Sequence, residues 1–165
     1  MTTKISEWEW KTYASPMAYA RFTQRPSGFQ GLTKSTRDKF IISEPVHVGG
    51  QNCAPTPLEL LLAGAVGCYA AVFAFYAANL GVDYERFEAV ARSEFDERGH
   101  MIADAPSSAF RKVTMLIDVV SDAPAEKLAE VERLALAGCP GISTLREPVP
   151  VATKLTVTRS SARAA

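Results

Sequence analysis

The chain has 165 residues, 47% of them hydrophobic and 22% charged, which fits one globular domain with a single core. Its 18 basic side chains balance 18 acidic ones, so no net field favours nucleic acid or an anionic membrane surface as a partner. Three cysteines are too few for a disulfide scaffold, and the N-terminus lacks the apolar core of a secretion signal. We therefore expect a cytoplasmic protein that binds neither nucleic acid nor a membrane.

Strand-like and helix-like segments follow one another in an order typical of the α+β class. We interpret residues 1–165 as one domain, with 1–15 as a loose arm and 159–165 as a flexible tail. The first three strands are short and joined by turn signals, which predicts an antiparallel meander. The predicted elements are strands over 17–24, 29–36 and 39–43, a helix over 57–80, strands over 84–97 and 110–121, a helix over 122–137, a helical turn over 142–146 and a strand over 149–158.

The boundaries of the long helix are marked in the sequence. Thr56 is a favourable N-cap, Pro57 suits the first helical position, and Glu59 stands where it completes a capping box. Gly81 is a typical signal for the end of a helix. These residues predict a helix that begins at Pro57 and ends just before Gly81.

The middle of this helix is apolar on every side. Residues 60–78 are 19 residues without a charge, which is long enough to span a bilayer. The flanks argue against a membrane span, because Glu59, Asp83 and Glu85 are acidic and only Arg86 is basic. A helix that is apolar all round must be buried all round, and in a chain of this length a dimer interface is the natural way to cover it. A helical membrane protein stays an alternative at this point.

The three cysteines differ in their settings. Cys68 lies in the middle of the apolar helix, where a lone cysteine is commonly a small buried hydrophobe. It is too far from the helix start to be activated by the dipole, so a reactive thiolate there needs a cation from elsewhere. Cys139 follows the second helix, as either an inconsequential loop residue or a thiol presented where two elements meet. Cys53 lies in a loop without redox or ligand spacing, and we interpret it as incidental.

Motifs for a metal or a cofactor are weak in this sequence. No CxxC pair occurs, and the two histidines, His47 and His100, lie in separate loops. A zinc site of Cys68, Cys139 and His47 would lack the short local spacings that zinc ligands usually have. The sequence has neither a GxSxG nucleophile turn nor a glycine-rich phosphate loop. We expect no metal and no cofactor.

Two segments together resemble the OsmC/Ohr family of osmotically inducible and organic hydroperoxide resistance proteins. The segment PTPLELLLAGAVGC, which ends at Cys68, resembles the "NPxELLLAALGAC" helix start of that family. The residues GCP at 138–140, with Ser143, resemble the "CPVS" segment that carries the second cysteine of the family. The similarity covers residues 17–158, and the order of elements around both segments agrees.

The resemblance implies an OsmC-like fold, in which antiparallel sheets wrap around a long buried central helix in an intertwined homodimer. It also implies a cysteine-based peroxidase, in which Cys68 attacks an organic hydroperoxide and becomes a sulfenic acid. Cys139 would then condense with Cys68 to a disulfide, which is ordinary sulfenic acid chemistry. A dithiol or lipoyl-type reductant would restore the thiols. The apolar helix around Cys68 favours a peroxide with a hydrophobic tail.

Family peroxidases also use an arginine from the early strand region and a glutamate at the start of the central helix. The arginine lowers the pKa of the thiol and orients the peroxide, while the glutamate holds the arginine. Carried over by resemblance, Arg25 is the first candidate for the arginine, followed by Arg37 and Arg21. Glu59 is the candidate for the glutamate.

The position of Glu59 departs from the family pattern. In the hydroperoxide resistance proteins the glutamate directly follows the proline, where this chain has Leu58. Nine residues of ideal helix turn through about 900°, which puts Glu59 on the face opposite Cys68. Glu59 is therefore either a catalytic support or a helix cap. The departure also supports a second hypothesis, a non-catalytic dimer that binds an apolar small molecule between its subunits.

Overall fold

A computed structural model describes residues 4–10, 20–25, 28–33 and 39–158, with side chains from Ile42 onward except those of Val48, His100 and Met101. The fold is α+β, as predicted. The elements are β1 Lys4–Trp10, β2 Ala20–Arg25, β3 Gly28–Thr33, β4 Lys39–Ile42, a single 3₁₀ turn Val46–Val48, α1 Pro57–Asn79, β5 Arg86–Phe95, α2 Arg98–Met101, β6 Lys112–Val120, α3 Ala125–Gly138 and α4 Pro140–Arg146.

The strands form two antiparallel sheets of three strands each, in the orders β2-β3-β4 and β1-β5-β6. The first of these is the predicted meander. The second contains a correction, because residues 4–10, which the sequence predicted as part of a loose arm, are a strand paired with β5. Their partner lies some eighty residues away in the chain, so no local signal announced the pairing.

Helix α1 packs against the inner face of the second sheet. Along β5 every second side chain is buried, from Phe87 to Phe95, as expected for a strand with one face toward the core. An aromatic cluster joins the two elements: the ring of Phe73 in α1 lies 4.9 Å from that of Phe87 and 5.9 Å from that of Tyr84. On another side α1 contacts α3 and α4. This arrangement fixes the rotation of α1, and with it the direction in which Cys68 points.

Both ends of α1 lie where the sequence predicted. The Thr56 hydroxyl accepts a hydrogen bond from the Glu59 amide at 3.2 Å, and the Glu59 carboxylate accepts one from the Thr56 amide at 2.7 Å. This is the reciprocal capping box. At the other end Gly81 adopts a left-handed conformation with φ of 62°, which suits a glycine, and the Val82 amide donates to the carbonyl of Ala77.

One side of α1 is open within the single chain, so the predicted burial on all sides is not found there. Leu61 and Phe75 are 50% and 60% exposed, and Gly64 and Ala78 are also exposed. Their spacing places the four on one side of the helix, which we call the open face of α1. Among the described residues α1 is the one helix long and apolar enough to cross a membrane, a test that the core helix of a soluble protein also passes.

The prediction of a strand over 149–158 is wrong for the single chain. Residues 150–158 have no regular secondary structure, and Val151, Leu155 and Val157 are 86%, 88% and 75% exposed. The sequence does alternate apolar and polar side chains there, as in a strand with one buried face. Alternation alone does not make a strand, because the backbone also needs a neighbouring edge. In the described part of the chain no edge pairs with this segment.

The link from β5 to β6 is held by one buried carboxylate. The Asp96 carboxylate accepts hydrogen bonds from Nε and Nη2 of Arg98, at 2.9 and 2.6 Å, and from Nη2 of Arg111 at 2.8 Å. The hydrogen bonds from Arg98 hold the pKa of Asp96 well below its usual range. The link, in which the sequence analysis predicted no helix, thus begins with the short helix α2, and the Asp96 carboxylate holds it near both of its ends.

Candidate active site

Cys68 and Cys139 lie side by side although 70 residues separate them in the sequence. Cys68 is at the middle of α1, and Cys139 is the single residue between the end of α3 and the start of α4. The two side chains are close enough for Cys68 to act directly on the pKa of Cys139. Both are free thiols, and Cys139 is fully buried while Cys68 is partly exposed. The structure therefore brings together the two cysteines that the sequence singled out.

The surroundings of Cys139 favour its protonated form. Burial raises the pKa of Cys139, and the hydrogen bond and charge interaction with Cys68 raise it further. The backbone N–H groups of Ile142 and Gly141 donate to its sulfur and act in the opposite direction, but the net effect is a raised pKa. Cys139 therefore rests as a protonated thiol. The more exposed Cys68 is the sulfur that a reactant from solution meets first.

Two glycines allow α3 and α4 to approach α1 closely around Cys139. A Cβ added to Gly141 would lie 3.0 Å from Cβ of Cys68 and 3.3 Å from Cα of Ala65. A Cβ added to Gly138 would lie 3.1 Å from the hydroxyl oxygen of Tyr76. Since Cys139 stands between the two glycines, it packs against the stretch of α1 between the level of Cys68 and that of Tyr76.

Gly141→Ala is expected to separate the two sulfurs. The new methyl group would press on Cα and Cβ atoms of α1, which cannot rotate away, so α4 must shift by a few tenths of an ångström. We expect a loss of about 1–3 kcal/mol in the free energy of unfolding, as for other overpacked cores, together with slower disulfide formation. Urea unfolding and the rate of disulfide formation with diamide measure the two effects.

Gly138→Ala is the matched control for that variant. Its methyl group would meet only the tip of the Tyr76 side chain, which can move at little cost. Both substitutions place alanine at or beside the end of a helix, so they differ mainly in what the methyl group touches. Equal rates of disulfide formation in the two variants would contradict the importance of the contact between Gly141 and Cys68.

Tyr69 is a buried polar residue at this site that the sequence reasoning missed. It is fully buried in α1, with its ring 6.2 Å from that of Phe73 and 6.4 Å from that of Phe87, and its hydroxyl has no hydrogen-bond partner in the described structure. A buried hydroxyl without a partner costs about 1–3 kcal/mol. Burial, and then the charges of Glu132 and Cys139, raise the pKa of Tyr69, so the hydroxyl keeps its proton. The signal in the sequence was a tyrosine inside an otherwise apolar helix.

The remaining candidates are not joined to the cysteine pair by any described contact. Arg25 ends β2 and Arg21 lies within it, but both side chains fall outside the described residues, as does the whole of Arg37. The described hydrogen bonds of Glu59 are those of the helix cap. Which arginine, if any, approaches Cys68 stays a prediction.

Metal ligands do not gather at this site in the described part of the chain. No group of three histidine, cysteine, aspartate or glutamate side chains lies close enough to hold an ion there. Nε2 of His47 lies 3.7 Å from a carboxylate oxygen of Glu97, near α2. Cys53 is exposed in its loop, where its amide donates to the Ser43 hydroxyl. The arrangement offers two thiols and apolar surroundings, which suits sulfur redox chemistry.

Comparison with known proteins identifies the family to which this chain belongs. The model of the family described as "OsmC-like protein" matches residues 49–154, which is more than half of the chain and includes both cysteines. The chain belongs to the OsmC-like family. No curated protein matches it at the level of sequence.

Solved structures of OsmC-like proteins share the fold. An OsmC-like protein of Mycoplasma pneumoniae is 13% identical, with a TM-score of 0.65 over 81% of this chain and 89% of that one. An organic hydroperoxide resistance protein of Elizabethkingia anophelis is 15% identical, with a TM-score of 0.61 over 81% and 90%. The organic hydroperoxide resistance protein OsmC of Legionella pneumophila is 18% identical, with a TM-score of 0.57 over 81% and 92%. These similarities extend the OsmC-like fold to most of the chain.

Proposed function

We propose that the protein is a thiol-dependent peroxidase that reduces organic hydroperoxides. The observation that carries this proposal is the proximity of Cys68 and Cys139, with one side chain partly exposed and the other buried behind it. Two thiols in contact form a disulfide with little movement, provided that an oxidant reaches the outer one. The organic hydroperoxide resistance proteins among the structural neighbours support the choice of oxidant.

The reaction has three steps in this proposal. The Cys68 thiolate attacks the terminal oxygen of the hydroperoxide and the O–O bond breaks, so that Cys68 becomes a sulfenic acid. The alkoxide that leaves takes a proton from water and becomes the alcohol. The Cys139 sulfur then attacks Cys68, the S–O bond breaks, and water leaves as the disulfide forms. A dithiol or lipoyl-type reductant reduces the disulfide and is itself oxidised. The first step requires a cation near Cys68, for which Arg25 is the first candidate.

The same proposal includes a homodimer built on the open face of α1. Cys68 lies in the middle of that face, where the contact with α4 covers it only in part. Leu61 and Phe75 are large apolar side chains that a solvent-facing helix would not normally present together. A second copy packed on this face would cover both and would complete an apolar pocket above Cys68. Such a pocket suits a hydrophobic peroxide tail.

The C-terminal segment supports the same assembly. Residues 149–158 carry alternating apolar side chains and an unpaired backbone, whereas β6 is an edge strand of its sheet. An extended segment with unpaired N–H and C=O groups gains hydrogen bonds by joining such an edge. We propose that it pairs with a sheet of the second subunit, which would give the intertwined dimer that the resemblance implies.

Counting thiols tests the proposed reaction. The reduced protein has three thiols, and we expect one equivalent of cumene hydroperoxide to remove two of them and to leave Cys53 free. In a Cys53→Ser variant the same treatment should leave no free thiol. If no thiol is lost, and apolar molecules remain bound in native mass spectra, the non-catalytic binding dimer is the better hypothesis.

A further inference from the structure

The Tyr69 hydroxyl is a buried polar group that neither the fold nor the proposed reaction has used. It has no hydrogen-bond partner in the described structure, although its ring is completely enclosed by the core. Two glycine contacts show which part of α1 lies next to Cys139. Gly141 contacts α1 at Cys68, and Gly138 contacts it at Tyr76. Cys139 lies between these two levels. Tyr69 directly follows Cys68 and lies at this level of α1, and Cys139 is near enough to act on the Tyr69 hydroxyl electrostatically.

We propose that the Tyr69 hydroxyl is a positioning group that donates a hydrogen bond to the Cys139 sulfur when this sulfur attacks oxidised Cys68. This inference rests on the proposed peroxidase function. It gives a role to the Tyr69 hydroxyl, which has no hydrogen-bond partner in the described structure. In the resting site the raised pKa keeps Cys139 a neutral thiol, so a further donor has little charge to stabilise.

During the attack the charge on the Cys139 sulfur changes. The S–S bond forms as the S–O bond of the sulfenic acid breaks, and the Cys139 proton leaves with the oxygen as water. Sulfur of Cys139 is oxidised and sulfur of Cys68 is reduced, with the hydroperoxide as the earlier source of oxidising equivalents. While Cys139 loses its proton, negative charge develops on a buried sulfur, and charge in such a place needs hydrogen-bond donors.

The donors available to that sulfur come from the elements packed around it. The Gly141 and Ile142 amides of α4 already act on this sulfur and lower the pKa of the thiol. Among the residues with described side chains, the titratable groups that act on Tyr69 and Cys139 are Cys68 of α1 and Glu132 of α3. Neither is a cation, so neither offsets a developing negative charge. Tyr69, which keeps its proton, is the additional donor.

Tyr69→Phe tests this assignment, because it removes one oxygen atom and keeps the ring. Tyr84→Phe is the matched control, since Tyr84 belongs to the same aromatic cluster but lies outside α1, before β5. Each protein is mixed with one equivalent of cumene hydroperoxide. Sulfenic acid is trapped with a cyclic 1,3-diketone, and disulfide formation is followed by mass spectrometry over a series of pH values. Urea unfolding shows whether the fold is intact.

For Tyr69→Phe we expect sulfenic acid to form at the wild-type rate and disulfide to form about tenfold more slowly or worse, as for loss of a hydrogen bond to a charged group. The pH midpoint of disulfide formation should move upward, because the Cys139 thiolate is less stabilised. A purely structural role would not move that midpoint. Tyr84→Phe should change neither quantity.

An unchanged rate and midpoint in Tyr69→Phe would overturn the inference while leaving the peroxidase intact. Equal slowing of both steps would also overturn it, because the hydroxyl would then act on Cys68. If the wild-type protein forms no sulfenic acid, the proposed function fails first, and this inference fails with it.

Discussion

Cys68→Ser is expected to abolish peroxide reduction, whereas Cys139→Ser is expected to leave the first oxidation intact and to block the disulfide. The reason is the unequal burial of the two sulfurs: Cys68 is partly exposed, and Cys139 is enclosed with a raised pKa. A serine hydroxyl at residue 68 is not a nucleophile at neutral pH, so consumption of cumene hydroperoxide should fall to the rate without protein. Intact-mass spectra of Cys139→Ser should show one added oxygen atom on Cys68.

The matched control for these two variants is Cys53→Ser. Cys53 is exposed in its loop and makes no described contact with the pair, so this variant should reduce peroxide at the wild-type rate. Oxygen addition to Cys139 in the Cys68→Ser variant, at a rate close to that of the intact protein, would show that the order of the two cysteines is reversed.

Phe75→Asp is expected to convert the proposed dimer into a monomer. The Phe75 side chain is 60% exposed in the single chain and lies on the open face of α1. If a second copy covers that face, the carboxylate would have to be buried there without a partner, at a cost of several kcal/mol that a dimer interface does not tolerate. Light scattering coupled to gel filtration measures the mass. Peroxide reduction should fall as well, because the pocket above Cys68 would lose one wall.

The control places the same charge on another exposed apolar residue. Ile102 is 50% exposed and lies in the link from β5 to β6, outside α1. Ile102→Asp should therefore keep both the dimer mass and the activity. A dimer that persists in Phe75→Asp would show that the open face is covered by something other than a second copy.

The features that the sequence predicted correctly are those with local causes. The capping box at Thr56 and the glycine after α1 are short-range signals, and the structure has both where they were expected. The same holds for the break at Cys139, since Gly138 and Pro140 mark the end of one helix and the start of the next. The contact between the two cysteines came from the resemblance, because nothing local connects residues 68 and 139.

The features that were missed depend on contacts between distant parts of the chain. Residues 4–10 form a strand because β5 offers an edge, and 149–158 do not form one because the described chain offers none. Residues 149–158 do alternate apolar and polar side chains, so a strand requires a partner for its backbone as well as the right sequence pattern. Tyr69 was overlooked because a hydroxyl without a partner becomes visible only when its surroundings are known.

The enclosure of Cys139 has a consequence for how the protein ages under chronic oxidant exposure. Any small oxidant that arrives in excess meets Cys68 before it meets Cys139, so irreversible sulfinic and sulfonic products should accumulate on the outer sulfur. A molecule inactivated in this way would retain Cys139 as an unmodified thiol in its core. The ratio of sulfinic to sulfonic acid on Cys68 across a sample, with Cys139 unmodified, would therefore report how much oxidant the protein has met.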